Sequence, residues 1–424
     1  MSLIFLFNYL VVMIFIYNCV LHIAYFFLKI IAIFNPKIKL FVEGRKETFD
    51  KLKSINPTDS VFWIHAASLG EFEQARPIIE RLKKQYPSYK IVVTFFSPSG
   101  YEIRKNYNLA DTVCYLPFDT KKKVQQFIKH VHPKIAIIVK YEFWPNLLNE
   151  LQRTNTKTIL VSGIFRKDQL FFKKHGKWMR NFLTSFHHFF VQNTSSKELL
   201  ENIDLRNTTV SGDTRFDRVF EILQQDNYID FVEEFKDGNY TLVAGSTWSE
   251  DEELLVNYIN DKATDSEKFI IAPHNINSVK IEELRNKILK KSILYSERNN
   301  VNLKEYQVLI IDTIGLLTKI YSYANTAYVG GGLATGLHNI LEPATYGVPV
   351  IFGGNKHTKF KEAIDLLDLG GSKAILNQEE FSSIFFELKK NLELRITMGE
   401  INKNYVKNNI GATDIVINYI NQII

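Results

Sequence analysis

The sequence predicts an α/β protein built from two doubly wound, Rossmann-like domains facing a cleft, with an apolar helix ahead of them. Three observations carry this expectation. Short runs rich in Val, Ile and Phe alternate with amphipathic stretches along most of the chain, and apolar strands separated by helices are the pattern of a parallel sheet covered on both faces. The alternation breaks once, at the polar and acidic segment DNYIDFVEEFKDGN (226–239), and then resumes. Leu3–Leu28 contains no Asp, Glu, Lys or Arg, and a bilayer core takes ~20 apolar residues.

Composition narrows the classes. The 424 residues leave room for two to three domains at ~150 residues each. Lys and Arg number 52 against 46 Asp and Glu, and the resulting +6 is too mild to mark a nucleic-acid binder. A hydrophobic share of 46% with 23% charged residues excludes disorder as the main state. Two cysteines, Cys19 and Cys114, exclude a disulfide scaffold or a Cys-rich metal cluster. Both read as buried thiols.

The N-terminal run lacks a basic leading region and a small-residue cleavage site, which argues for a retained anchor (1–35) over a cleaved signal peptide. A helix lying in the membrane face is the other reading. Lys29, Lys37, Lys39, Arg45 and Lys46 all follow the run, so the positive-inside rule leaves the remainder on the cytoplasmic side. In the first alternating domain (36–225) strands are expected at Ser60–His65, Lys90–Phe95, Asp111–Leu116, Lys134–Val139, Thr156–Val161 and His187–Val191. Helices are expected at Glu71–Tyr86, Lys121–Val131 and Trp144–Arg153. After a linker at 226–239, the second domain (240–405) offers strands at Tyr240–Ala244, Phe269–Ala272, Val308–Ile311, Ala327–Val329 and Val348–Phe352. A last helix, 406–424, is expected to pack back on the N-terminal domain. Ligands of such sheets bind at the carboxyl ends of the strands, so chemistry is sought in the loops there.

Six such loops stand out. In YVGGGLATGLHNILEPATYGVP (Tyr328–Pro349) a strand ends in Gly330-Gly331-Gly332, and a helix is expected to begin near His338-Asn339. Glycines let backbone approach a ligand, and a helix N-terminus offers N–H groups to an anion. Glu342 is placed to accept bonds from ribose hydroxyls; helix capping by Asn339 and Glu342 would give the same residues. In HAASLGEFEQ (His65–Gln74) the carboxylate of Glu71 sits at a strand end, where it can take a proton, although Glu71 and Glu73 equally suit a helix dipole. In VKYEFWPNLL (Val139–Leu148) Glu142 follows a strand directly, and Pro145 suits a first helical turn. In VSGDTRFD (Val210–Asp217) Arg215 can approach a phosphate, or pair with Asp213 or Asp217. Finally, Pro273-His274 and Asp312–Leu317 end two more strands, where backbone groups read a base. Zinc-ligand spacings, a P-loop, G-x-G-x-x-G and G-x-S-x-G are all absent, which disfavours kinases, dinucleotide oxidoreductases and serine hydrolases.

Taken together, these residues resemble the family of transferases for Kdo, 3-deoxy-D-manno-oct-2-ulosonic acid, from the anchor to the last helix. The matching pieces are Ala67–Glu71 (ASLGE), Glu142–Asn146 (EFWPN), Gly212 with Arg215–Asp217, Ala244–Thr247 (AGST), Asp312-Thr313 and Gly330–Pro349. The resemblance implies a membrane-bound, inverting GT-B glycosyltransferase that moves Kdo from CMP-Kdo to a lipid A precursor on the cytoplasmic face of the inner membrane. It implies Glu71 as general base, and Glu142 and Arg215 as transition-state stabilisers. It places CMP against Pro273, His274, Gly315, Leu316, Leu317, Asn339, Ile340, Leu341 and Glu342. No metal, cofactor or nucleic acid is implied. The chain departs from the family pattern at Arg215 (usually Lys), at Ile340 (usually Pro) and in Ser162–Arg166, where SGIFR replaces a pattern closer to S-N-A-R. A GT-B transferase using a UDP-sugar and a lipid-linked acceptor is the alternative, and a membrane-tethered nucleotide-binding module without catalysis is a third reading.

If Glu342 holds ribose, Glu342→Ala raises KM for CMP-Kdo while saturated turnover changes little. Losing hydrogen bonds to a charged group costs ~1.5–3 kcal/mol, so a rise of about tenfold or more is expected in steady-state kinetics. An unchanged KM removes Glu342 from the nucleotide site.

Overall fold

The computed structural model describes residues 3–424, with side chains from Val11 onward apart from His175; the first two residues of the expected anchor lie outside the described residues. Two units result, Met1–Arg218 with Ile410–Ile424, and Val219–Asn409. The first holds strands β1 (Val61–Ala66), β2 (Lys90–Phe95), β3 (Thr112–Tyr115), β4 (Ile135–Val139), β5 (Lys157–Gly163), β6 (His188–Val191) and β7 (Thr208–Val210). They form one parallel sheet in the order β3-β2-β1-β4-β5-β6-β7. The second holds β8 (Tyr240–Thr247), β9 (Glu267–Pro273), β10 (Ser292–Leu294), β11 (Val308–Ile310), β12 (Thr326–Val329), β13 (Val350–Gly353) and β14 (Ser372–Ile375). Their order is β10-β11-β9-β8-β12-β13-β14, again all parallel. The short strands β7, β10 and β14 were not among the expected ones, because three or four residues with polar members do not stand out as an apolar run.

Each sheet has one switch point, where the chain stops building in one direction and crosses back. It lies between β1 and β4 in the first sheet and between β8 and β12 in the second. Each sheet therefore brings together its own pair of loops, those after β1 and β4 in the first and those after β8 and β12 in the second.

Alternation along β1 feeds two apolar layers. Trp63 packs into one with Phe127, Leu148 and Phe189, while Phe62, Ile64 and Ala66 enter the other with Phe72, Ile78 and Ile137. The chain's last helix, Ala412–Ile423, covers that second layer with Val416, Ile417 and Ile420. Asp217 anchors its start by accepting bonds from the Gly411 N–H (2.5 Å) and the Thr413 N–H and hydroxyl (both 2.6 Å). Gly411 has φ +107°, a left-handed conformation that glycine adopts without strain.

The linker expected at 226–239 needs correction. It contains the helix Asp230–Lys236, whose Val232 and Phe235 are fully buried within the second unit. Its polarity belongs to the outer face of that helix. The chain passes from unit to unit at Arg218/Val219 and at Asn409/Ile410.

The first helix, Leu3–Phe34, includes a stretch, Val11–Phe34, long and apolar enough to cross a membrane, in which only Leu21 and Ala32 are buried. Val11, Phe15, Val20, Ile23, Phe26 and Phe27 are exposed, and so is Cys19, contrary to the expectation of a buried thiol; Cys114 is buried. The opposite stripe is docked on the first unit. Ile14 packs on its core, Leu21 is buried, and Tyr25 meets Phe118 with ring centroids 4.8 Å apart. These residues lie seven and four positions apart, a spacing that keeps them on one helix face.

Since Ile420 seals a sheet face, Ile420→Ala costs about 2–5 kcal/mol of first-unit stability. Urea unfolding followed by far-UV circular dichroism reads this, and a loss well under 1 kcal/mol would place the helix outside the core.

Candidate active site

Four side chains converge at the carboxyl edge of the first sheet, two on each side of its switch point. His65 is the penultimate residue of β1 and is wholly buried. After Ser68 the chain enters the helix Leu69–Gln85, and Glu71 in its first turn reaches back so that the Ala67 N–H donates to Oε2 at 2.6 Å. Beyond β4, Lys140 takes a left-handed φ of 60° and delivers Glu142 to the same edge. Glu142 Oε2 accepts the Trp144 indole N–H (2.6 Å) and lies 3.2 Å from His65 Nε2.

The histidine is oriented from below. Trp63 Nε1–H donates to Thr94 Oγ1 (2.8 Å), which leaves the Thr94 hydroxyl proton for His65 Nδ1, 2.8 Å away. Nδ1 also lies 3.1 Å from the Thr94 carbonyl, and the proton on Nε2 is called for from the other side, where the Glu142 carboxylate only accepts.

Electrostatics separate the two carboxylates. Burial pushes Glu71 above the ordinary glutamate range, and the nearby negative charge of Glu142 adds to the push. Burial acts on Glu142 too, but the hydrogen bonds from His65 and Trp144 outweigh it and hold Glu142 below that range. Two carboxyl groups driven apart in acidity are suited to different roles. Glu73, which the helix dipole could have favoured equally, is instead paired with Arg104 at 2.8 Å.

Arg215 lies in the first turn of the helix Thr214–Ile222. Of its two expected partners it takes Asp213, with Nε at 2.9 Å and Nη2 at 2.8 Å, while Asp217 serves the C-terminal helix. Asp213 is buried; burial pushes its pKa up, but the Arg215 guanidinium more than compensates and keeps it below the usual carboxylate range. Gln74, on the helix that carries Glu71, also donates to Asp213 (2.9 Å). The SGIFR segment supports this corner. Ser162 Oγ is 3.1 Å from Thr214 Oγ1, and the Arg166 guanidinium lies over the Tyr141 ring at 5.8 Å.

The second unit gathers its own strand-end loops. Trp248 after β8, His274 after β9 and His338 after β12 form a stack of rings, with centroids 4.8 Å (Trp248–His274) and 4.4 Å (His274–His338) apart. The Trp248 indole N–H donates to His338 Nε2 at 3.0 Å. Burial lowers both histidines, and His338, with His274 beside it, is pushed down to about 4. Glu342 ties two further loops together, accepting from Thr318 Oγ1 (3.0 Å) and Asn339 Nδ2 (3.2 Å). Gly315, at φ +99°, makes the turn that leads into Leu316 and Leu317.

Several expectations about this unit change. The helix after the glycine loop is Leu341–Thr345, one turn long, and does not begin at His338. Its dipole is correspondingly small. The glycine triplet is required by the protein's own backbone. Gly330 N–H bonds Gly245 O, Gly331 N–H donates to the buried Asp251 carboxylate at 2.8 Å, and a Cβ on Gly332 would meet the Gly353 carbonyl. Ile340 and Leu341 are fully buried, so their side chains offer a ligand no surface. Asp312 accepts the Ser296 N–H at 3.0 Å, a loop-capping role. Pro273 ends β9, Leu317 and Glu342 lie in the first turns of short helices, and His274, Gly315, Leu316 and Asn339 lie in the loops that follow strands of the second sheet. Sequence reasoning missed His65, Trp248 and Asp213. A histidine closing an otherwise apolar strand was the signal for the first; the other two were legible only as neighbours of named residues.

Comparison with known proteins bears on this arrangement. Residues 43–218 match the model of the family described as 3-Deoxy-D-manno-octulosonic-acid transferase (kdotransferase). That match falls within the first unit. Glu71, Glu142 and Arg215 all lie inside the matched Kdo transferase region. A 3-deoxy-D-manno-octulosonic acid transferase of Aquifex aeolicus is 28% identical over 373 residues, covering 85% of this chain and 97% of that protein. A bifunctional glycosyltransferase/methyltransferase of Fusobacterium nucleatum is 28% identical over 399 residues, and this chain spans 60% of its length. Among solved structures, UDP-GlcNAc 2-epimerase from Neisseria meningitidis superposes with TM-score 0.58 at 15% identity, over 86% of this chain and all of that one (100%). MurG of Acinetobacter baumannii gives 0.53 at 13%, over 86% and 99%. These likenesses establish a GT-B-like α/β fold and nothing about substrate.

If the Glu142 charge raises Glu71, then Glu142→Gln lowers the Glu71 pKa towards the ordinary glutamate range, because a neutral amide no longer opposes its ionisation. Carboxyl ¹³C NMR titration of the two proteins measures this. A midpoint that stays put or rises would show that the two side chains do not sense each other.

Proposed function

We propose that this chain is an inverting transferase that moves Kdo from CMP-Kdo to a lipid A precursor. The carrying observation is the pair of carboxylates at the first switch point, driven apart in acidity and lying within the matched region. The names of the relatives supply the sugar.

An acceptor hydroxyl is a weak nucleophile at neutral pH. Glu71, oriented by the Ala67 N–H, takes its proton as the oxygen attacks the anomeric carbon of Kdo. The bond from that carbon to the phosphate oxygen breaks, CMP leaves with the electron pair, and attack from the opposite face inverts the centre. That carbon is fully substituted, so positive charge builds on the sugar in the transition state. Glu142, held ionised by His65 and Trp144, suits the stabilisation of that charge better than proton transfer. Arg215 supplies positive charge to the departing phosphate. Pro273, His274, Gly315–Leu317 and Asn339–Glu342 are assigned to CMP, with Glu342 on the ribose hydroxyls. The chemistry calls on no metal or cofactor.

The first helix fits a cytoplasmic-leaflet anchor of the inner membrane. Its outer face is apolar and exposed, while its inner face is held by the protein. We therefore read it as lying along the membrane surface with lipid on one side.

Glu71→Gln keeps size and most hydrogen bonding but cannot accept a proton, so turnover falls by ~10²–10⁴-fold. CMP affinity, measured by calorimetry on the same preparation, stays near wild type because the assigned CMP loops lie in the other unit. A Gln variant within about threefold of the wild-type rate ends the case for Glu71 as base.

A further inference from the structure

One buried acid is unused by the reaction described above. Asp119, 5% exposed, sits between the first helix and the start of the helix Pro145–Arg153. Its carboxylate accepts the backbone N–H groups of Asn146 (3.0 Å) and Leu147 (2.9 Å), capping that helix, and the Tyr17 hydroxyl donates to the same carboxylate at 2.8 Å. A second bond runs alongside. Asn146 Nδ2 donates to Asn18 Oδ1 at 2.8 Å and to the Asp119 carbonyl at 2.5 Å. Asn18 is itself fixed by a bond to the Ile14 carbonyl (3.0 Å). Two adjacent polar residues in an otherwise apolar helix thus face inward and grip one corner of the first unit.

That corner is the far end of the loop carrying Glu142. Three residues, Phe143, Trp144 and Pro145, separate Glu142 from Asn146. The loop is tied at one end by Lys140 N–H to Val161 O (3.1 Å) and at the other by the Asp119 cap. In between it has little slack. Pro145 fixes one backbone torsion, the Trp144 ring stacks on Phe96 at 4.9 Å, and its indole holds Glu142. A contiguous chain of contacts runs from Tyr17 and Asn18 through Asp119 and Asn146 to Trp144 and Glu142. Burial drives Asp119 up to about 7 despite three donors, so the Tyr17 hydroxyl counts towards keeping its charge in place.

We propose that the first helix is a positioning element as well as a tether: Tyr17 and Asn18 set the place of the Glu142 loop through Asp119 and Asn146. The catalytic consequence rests on the transferase reading above, but the structural coupling does not. Contiguity alone does not establish coupling, so the test must perturb one end and read the other.

The full chain is labelled with 5-fluorotryptophan, and the Trp144 ¹⁹F resonance is assigned by Trp144→Phe among the four tryptophans. Tyr17→Phe removes one buried hydroxyl, and Asn18→Ala cuts the parallel bond. In both variants the Trp144 resonance should shift or broaden while that of Trp248, in the other unit, stays put. With detergent-dispersed acceptor, where tethering is irrelevant, kcat should fall about tenfold or more at unchanged KM for CMP-Kdo. Flotation with phosphatidylethanolamine/phosphatidylglycerol vesicles should be retained. Phe26→Ser with Phe27→Ser, on the exposed face, should give the reverse: lost flotation with Trp144 and kcat intact. A Trp144 resonance unchanged in both Tyr17→Phe and Asn18→Ala overturns the proposal, whatever the rates. A wild type without Kdo transfer would sink the transferase reading alone, since the resonance still decides the coupling.

Discussion

The constraint on which the rest depends is that every strand pair in both sheets is parallel. Parallel strands need crossover connections, so all the strands of a sheet end on one edge, and the loops that follow them meet there. At the switch point the two flanking crossovers run to opposite sides and leave room between their first residues. In the first sheet those residues bring Glu71 after β1 and Glu142 after β4; in the second they bring Trp248 after β8 and the Gly330–Glu342 loop after β12. The candidate residues are far apart in sequence and adjacent in space because of this one topological fact.

What each edge can do follows from charge and burial. Two half-buried carboxylates close together would both resist ionisation, and His65 resolves the conflict by bonding one of them. The other keeps a raised affinity for a proton, the property a general base needs near neutral pH. The second edge combines the Glu342 carboxylate with aromatic and imidazole rings. Its histidines are lowered by burial and stacked on an indole, so it offers oriented hydrogen bonds and flat apolar surface. These are the features a nucleotide base and ribose can use.

Much of this was legible from sequence, and the limits have physical causes. Apolar strands read well because both faces of a parallel strand are buried; Lys90–Phe95 and the helix Lys121–Val131 coincide with their expected bounds. Glu71 and Glu142 were found because each follows directly on such a strand. Three things were not legible. The helix Asp230–Lys236 was hidden by an acidic outer face that resembles a linker. The glycine triplet looked like a ligand cradle, yet Asp251 and Gly353 press on it from the protein side, and sequence does not report tertiary approach. The first helix read as an uncharged anchor, and nothing in it showed that Tyr17 and Asn18 turn a docked face to Asp119 and Asn146 more than a hundred residues on. The polar residues scattered in its apolar run were visible, but their partners were not deducible.

The account stands or falls on whether this edge chemistry is Kdo transfer. The most direct measurement is mass spectrometry of a tetraacylated lipid A precursor after incubation with the full chain and CMP-Kdo in detergent. The account predicts that the lipid gains the mass of one or more Kdo residues as CMP is released. A lipid unchanged by CMP-Kdo but glycosylated when a UDP-sugar is supplied would contradict it.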